Sequence, residues 1–334
     1  MSHLAQCLQA FSQGERPTGD AISGAFDQLM DGDAPDAAIG GFLMGLAALG
    51  ERPSDIAAGA RVLRGRMQTI TAPDGAIDTC GTGGDRSGTF NISTTAAIVV
   101  AACGVKVAKH GNRAVSSQSG SADVLEALGV KLEGDPAAAL ASLARLGLAF
   151  LFAPAFHGAL KHAAPVRREL GLRTFFNLLG PLANPASASH QLLGVYDPKR
   201  LRQIAEVLGS LGVRGAWVVH GEGGLDEVSP CGPTHVAILK DGAVEETTVE
   251  PGDFGLEAVA FEGLVGGDAR ANADIIGAVL DGAAGAPRVA VVINAAAALL
   301  AAGAERDPKS ARQRVEEAID AGRARDLLAR WVGA

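Results

Sequence analysis

The chain has 334 residues, with 37 Asp and Glu against 29 Lys and Arg, for a net charge of -8. That balance leaves no basic footprint for nucleic acid, and aromatics at 4% supply no stacking platform for bases. An apolar fraction of 48% specifies a globular chain rather than a disordered one.

Residues 1 to about 70 read as helices only. "DAAIGGFLMGLAALG" places Ile39, Phe42, Leu43, Leu46 and Leu49 on one helical face, with Gly50 as its C-cap. "PSDIAAGARVLRGRM" opens on Pro53 with Ser54 or Asp55 as the cap. The spacing of Gly40, Gly41 and Gly45 suits close helix contact, either inside the chain or across a subunit interface. After Pro73 short β-prone runs alternate with Ala/Leu-rich helices. The strand candidates are Ile77–Cys80, Val105–Ala108, Trp217–His220, Val236–Leu239 and Val289–Ile293. Such alternation specifies an α/β layer with a largely parallel sheet. Residues 162 to 185 read as helical with Pro breaks, packing back on the N-terminal helices.

The N-terminus lacks a basic-then-apolar signal. The most apolar stretch, 289 to 304, is shorter than a membrane span and is broken by Asn294 and Gly303. Cys7, Cys80, Cys103 and Cys231 form no CxxC pair and read as reduced thiols. A cytoplasmic protein without membrane attachment is expected.

Two strand–loop–helix units then carry the chemistry. In "DTCGTGGDRSGTFNISTTAAIVVAACG" a strand ends at Cys80. A loop with Gly81, Gly83 and Gly84 follows, and a helix starts near Ser93. Glycines let backbone N–H groups turn toward an anion, and the new helix adds free N–H groups and a positive dipole end. Ser93 and Thr94 serve either as donors or as mere N-caps. In "KHGNRAVSSQSGSAD" the cations Lys109, His110 and Arg113 stand among serines, before a helix with Asp123 and Glu126 in capping-box spacing. Both loops belong at the carboxyl ends of neighbouring strands, where open α/β sheets bind ligands. Together they suit a ligand with two separate phosphate groups.

In "VVHGEGGLDEVSP" the adjacent acids Asp226 and Glu227 follow a strand. A DE pair on a turn is usually solvated; beside phosphate loops it becomes a candidate Mg²⁺ site with oxygen ligands. His220 reads as structural. Arg167, Arg168 and Arg173 cluster in "VRRELGLRTFFNLLGPL", where one guanidinium has the fork geometry for a carboxylate. No nucleophile–base pair, Walker A or HExxH motif is present.

Taken in order, "GTGGD", "TFNIST", "KHGNRAVSS", "SGSADVLEALG", "VRRELGLRTFFNLLGPLANP", "GVYDP", "HGEGGLDEVS" and "NAAAALLAAG" make the chain resemble the anthranilate phosphoribosyltransferases over nearly its whole length. The resemblance implies a small helical domain (residues 1–71, with about 160–186 packing back). It also implies a larger α/β domain of the nucleoside phosphorylase/phosphoribosyltransferase type (72–159 and 187–334). It implies a homodimer, and transfer of the phosphoribosyl group of phosphoribosyl diphosphate to anthranilate.

By position, Gly81, Gly84, Asp85, Thr89, Asn91, Ile92, Ser93 and Thr94 of the first loop would contact phosphoribosyl diphosphate. From the second loop, Lys109, His110, Gly111, Asn112, Arg113, Ala114, Val115, Ser116, Ser117 and Ser121 would join them. Gly81, Asn112 and Arg167 would line the anthranilate site, and Ser93, Asp226 and Glu227 would serve Mg²⁺. Pyrimidine nucleoside phosphorylases are similar in the second loop, but their first loop reads "KHSTGGVGD" where this chain has "DTCGTGGD". Arg86, Gln118, Phe156 and Gly158 depart from the family pattern.

Overall fold

A computed structural model of the chain describes residues 1–114, 118–132 and 134–333. The N-terminal helices are α1 (His3–Ser12), α2 (Gly19–Asp31), α3 (Asp36–Leu49) and α4 (Pro53–Arg66). Their apolar faces meet in one core that buries Phe26, Leu29, Phe42, Leu46, Ile56 and Leu63. Each such side chain contributes about 1.5–3 kcal/mol of burial. The α3 face is buried as expected at Ile39, Phe42, Leu43 and Leu46, while Leu49 is half-buried at its end. A methyl group on Gly45 would collide with the Phe11 ring, so part of the glycine spacing seats α1 within the same chain. The cap of α4 differs from the expected one. Arg52 holds the cap position, and Asp55 reaches back to accept its N–H at 3.0 Å while pairing with Arg16 at 2.7 Å.

The segments Ala164–Leu170 and Phe175–Leu182 are helices, and Val166, Phe175, Phe176 and Leu179 are buried in the same core as α1–α4. Phe26 and Phe175 stack with ring centroids 4.7 Å apart. Arg64 at the end of α4 donates to the carbonyls of Leu182 and Leu211, which joins the bundle to the sheet region.

Among the described residues one sheet holds β1 (Ile77–Gly81), β2 (Val107–Gly111), β3 (Leu148–Phe152), β4 (His190–Gly194), β5 (Gly215–Gly221), β6 (Thr234–Lys240) and β7 (Ala243–Val249). The order is β3-β2-β1-β4-β5-β6-β7. The first five are mutually parallel, and β6 and β7 are antiparallel additions. The chain leaves β1 toward β2 on one side and returns to β4 on the other, so β1 lies at a topological switch point.

Two expected strands need correction. The second runs over Val107–Gly111 rather than Val105–Ala108, which puts Lys109 and His110 inside β2. Val289–Ile293 is not a strand but part of a buried helix, Ala286–Ala301, packed on α5 (Ile92–Ala102). A fully buried apolar run has no polar face to betray its period. Among the described residues no helix is long and apolar enough to cross a membrane.

Candidate active site

A cleft of about 470 Å³ opens at the carboxyl ends of β1, β2 and β5. From the first loop it is lined by Gly81, Gly84, Asp85, Thr89, Asn91 and the opening residues of α5, Ile92, Ser93 and Thr94. The side chains of Ile92 and Thr94 are buried. Asn91 stands at the cap position of α5, and neither Ser93 nor Thr94 caps the helix.

Asp226 and Glu227 tie this loop to β5. Gly83 N–H donates to Asp226 Oδ2 at 2.8 Å, and Ser93 N–H donates to Glu227 Oε1 at 3.1 Å. The room for Asp226 comes from two glycines on adjacent strands. A side chain on Gly81 would strike the Asp226 carboxylate, and one on Gly194 would strike its backbone. Both acids are half-buried at the cleft floor. Loss of hydration raises the Asp226 carboxyl above its usual range, and the charge of Asp85 adds to that. Loss of hydration likewise raises Glu227, with Asp226 as its charged neighbour.

The donor set of two carboxylates and the Ser93 hydroxyl is all oxygen, the class a hard divalent cation takes. Among the described residues no three His, Cys, Asp or Glu converge to cage an ion. A cation here would therefore complete its shell with water or a bound diphosphate. Such an ion would also stabilise the ionised forms of both acids.

The second loop divides. Gly111, Asn112 and Ser121 line the cleft with Lys109 and His110. Lys109 is buried, its ammonium donating to the Thr79 carbonyl and lying 3.4 Å from Ser93 Oγ. His110 is buried against His157, with Nε2 atoms 3.2 Å apart. Burial and the neighbouring imidazole hold His110 down to about 3, and burial holds His157 down to about 4. Both rings are neutral near pH 7.

Arg113 and Ala114 are not part of the lining. The Arg113 guanidinium pairs with Glu126 at 2.5 Å and Asp123 at 3.1 Å, and Ala114 N–H donates to Asp123. The expected capping box is thus replaced: Asp123 accepts Gly120 N–H, and Glu126 holds Arg113. Val115, Ser116 and Ser117 lie outside the described residues.

Arg167 also lies outside the cleft lining. It is half-buried with its guanidinium 5.1 Å from the Phe176 ring centroid, and burial lowers its pKa. Arg168 is exposed. Arg173 sits over Tyr196 at 4.0 Å, next to the backbone of Gly84. His220 Nδ1 lies 2.8 Å from the Val195 carbonyl, in line with a structural role. Of the family departures, Phe156 fills a small apolar cluster, and Gly158 has open space where a side chain would stand.

Arg86 is exposed at the cleft rim with φ 61, a left-handed conformation that a Gly would adopt freely. Among the described residues it has no hydrogen-bond or ion-pair partner. Sequence reading missed Asn294, which it took only as a break in an apolar run. Its buried amide brackets Val228, accepting the N–H and donating to the carbonyl, both at 2.8 Å. That clamp fixes the backbone immediately after Glu227, and its signal was a lone polar residue within the apolar run from Val289 to Ala301.

Residues 73–325 match the model of the glycosyl transferase family, a/b domain, and residues 5–67 match its helical bundle domain. The chain is 55% identical to the anthranilate phosphoribosyltransferase of Maricaulis maris, over 99% of this chain and 98% of that protein. It is 53% identical to that of Rhodospirillum rubrum, over 95% and 92%. The crystal structure of the Thermus thermophilus enzyme superposes with a TM-score of 0.92 at 42% identity, covering 98% of both chains. The Saccharomyces cerevisiae enzyme, solved in complex with PRPP and Mg, gives 0.88 at 28% identity over 99% and 97%.

Proposed function

The chain belongs to the anthranilate phosphoribosyltransferase family, and we propose that its cleft binds phosphoribosyl diphosphate across both anion loops and anthranilate beside Gly81 and Asn112, with Arg167 reaching it from outside the lining. It transfers the 5-phosphoribosyl group to the amine of anthranilate, giving N-(5-phosphoribosyl)anthranilate and diphosphate, in tryptophan biosynthesis. The observation that carries the site assignment is the convergence of Asp226 and Glu227 on the backbone N–H groups of Gly83 and Ser93, at the mouth of a parallel sheet.

The ribose C1–O bond breaks as diphosphate leaves, and a C–N bond to the aniline nitrogen forms. The nitrogen then loses its proton. The first loop, the N-terminus of α5 and the side chains of Thr89, Asn91 and Ser121 line the cleft and are the groups assigned here to hold the departing charge. The buried Lys109 adds a fixed positive charge beneath Ser93. Ser93, Asp226 and Glu227 are the residues to hold Mg²⁺; when bound, the ion neutralises charge on the leaving diphosphate. The aniline amine needs no strong base to be nucleophilic, which suits a site without a nucleophile–base pair. Arg167, half-buried and stacked on Phe176, is the guanidinium for the anthranilate carboxylate.

Residues 1–71 with about 160–186 form the helical unit in this reading, and 72–159 with 187–334 the phosphoribosyl-diphosphate unit. Two copies pair through the helical unit, a reading supported by exposed Met44 on α3. The protein acts in the cytoplasm. The test is to mix it with phosphoribosyl diphosphate, anthranilate and Mg²⁺ and follow anthranilate fluorescence. Loss of signal that requires all three components is the expected result; an unchanged signal would overturn the reading.

A further inference from the structure

Asn272 lies in the helix Ala269–Leu280, outside every motif of the two loops, yet it lines the cleft. Its side chain is 2% exposed. Asn272 Oδ1 accepts the Gly267 N–H at 2.8 Å, and Asn272 Nδ2 donates to Asn91 Oδ1 at 2.9 Å. Asn91 Nδ2 in turn donates to the Ser119 carbonyl at 3.2 Å. The two ends of this chain are backbone groups of fixed character: Gly267 N–H can only donate, and the Ser119 carbonyl can only accept. Both amides therefore have one self-consistent orientation. Inverting Asn91 would set its NH₂ against the NH₂ of Asn272 and its oxygen against the Ser119 carbonyl.

The segment carrying Asn272 is pressed onto the first loop. Phe90 N–H donates to the Leu264 carbonyl at 3.0 Å, and Gly266 N–H donates to the Gly88 carbonyl at 2.9 Å. A methyl on Gly266 would come within 2.7 Å of the Phe90 backbone. Residues 264–272 are thus a third wall that joins the first anion loop to the second through two side-chain amides.

We propose that Asn272 is a positioning residue for phosphoribosyl transfer, locking the Asn91 amide so that its second N–H, and not its oxygen, faces the diphosphate. The inference rests on the reading of Asn91 as a phosphoribosyl diphosphate ligand. A carbonyl oxygen turned toward phosphate oxygens would repel them, whereas an N–H gives a charge-assisted bond.

Three single variants test it: Asn272→Asp, Asn272→Ser and Asn91→Ala, each assayed for both Michaelis constants and for thermal melting. Asn272→Asp keeps the acceptor for Gly267 N–H and removes the donor to Asn91. Asn272→Ser breaks the amide chain without adding charge. Both are expected to raise the constant for phosphoribosyl diphosphate by about tenfold or more, the share of one hydrogen bond to a charged group. The constant for anthranilate should stay within about twofold, a change too small to reflect loss of a bond. If Asn272→Asp fails to fold, Asn272→Ser carries the same expectation. A rise with Asn272→Asp alone would mean charge repulsion and overturn the proposal. So would equal changes in both constants with a lowered melting point, because that is the signature of packing. If Asn91→Ala leaves the phosphoribosyl diphosphate constant unchanged, the reading of the site itself fails. If Asn91→Ala raises it and the Asn272 variants do not, the positioning role alone fails.

Discussion

Two pairs of titratable groups stand at this cleft, Asp226 and Glu227 in its lining and His110 in the lining with His157 behind it, and removal from water acts on them in opposite senses. Asp226 and Glu227 are acids, so lost hydration pushes their pKa values up and opposes the charged form. His110 and His157 are bases, so burial pushes theirs down and favours the neutral form. The histidines reach their neutral state unaided: one Nε2 carries a proton and the other accepts, although His157 Nδ1 is buried without a hydrogen-bond partner among the described residues. The acids do not. Two backbone N–H groups and the distant charge of Lys109 leave them above their ordinary values. The first pair is held neutral by the fold alone, while the second is arranged for a cation that the protein does not itself supply.

The largest expected effect comes from removing the acids' charge while keeping their shape. The double variant Asp226→Asn/Glu227→Gln should lower Mg²⁺-dependent kcat by at least about a hundredfold, the scale of losing one preorganised electrostatic contact in a transition state. Steady-state assay at saturating Mg²⁺ decides, and near-normal turnover would end the metal assignment.

Arg167 tests the acceptor side. Arg167→Ala should raise the Michaelis constant for anthranilate by about 10- to 150-fold, from a charged hydrogen bond of roughly 1.5–3 kcal/mol. The constant for phosphoribosyl diphosphate should change little. Because the guanidinium is stacked on Phe176 at the bundle, an equal effect on both substrates would reassign it to packing.

The histidine pair makes a stability prediction of definite sign. Folded values of about 3 and 4 lie below the unfolded value near 6.5, so the unfolded chain binds more protons as pH falls. The stabilisation is fully present above about pH 6.5 and is lost as pH falls toward the folded values. Between pH 6.5 and pH 5 each histidine's share falls by about 1.5 kcal/mol, while the raised Asp226 and Glu227 act in the opposite sense. The readout is therefore the urea stability of the parent minus that of His157→Gln, which should fall by about 1–2 kcal/mol over that range. A variant whose stability follows the same pH curve as the parent would contradict the assignment.

The smallest effect belongs to Arg86. It is exposed at the rim, so Arg86→Gly should change the affinity for phosphoribosyl diphosphate by no more than about twofold. Relief of the left-handed backbone at φ 61 should add up to about 1 kcal/mol of stability, opposed in part by the greater freedom of Gly in the unfolded chain. Calorimetric titration at fixed ionic strength checks the first part; a tenfold loss would place the guanidinium on the ligand.

What the sequence shows of this site follows from how local each device is. The first loop, the start of α5 and the acid pair are short runs whose glycines, hydroxyls and carboxylates state their chemistry in place. β3, β4 and β7 went unread: "LAFLF" and "HQLLG" are brief apolar runs, and "AVEETTV" is a polar edge strand with little alternation. Arg113 looked like part of the anion loop, but its partner Glu126 lies thirteen positions on, across a turn whose path the sequence does not reveal. Asn272 and Asn294 stand far along the chain from the groups they hold, Asn91 and Val228. Gly194 makes room for Asp226 from a neighbouring strand, a role that exists only once the sheet order is known. Contacts of large sequence separation are what the local pattern cannot carry.

The most direct measurement is thermal melting of the parent and of Asp226→Asn/Glu227→Gln at pH 8, first in EDTA and then with Mg²⁺ and phosphoribosyl diphosphate. If the acids are held against their preference for a cation, the amide variant melts at the same or a higher temperature than the parent in EDTA, and only the parent gains on adding the ligands. A variant that melts well below the parent in EDTA would show the carboxylates to be structural and would contradict the contrast between the two pairs.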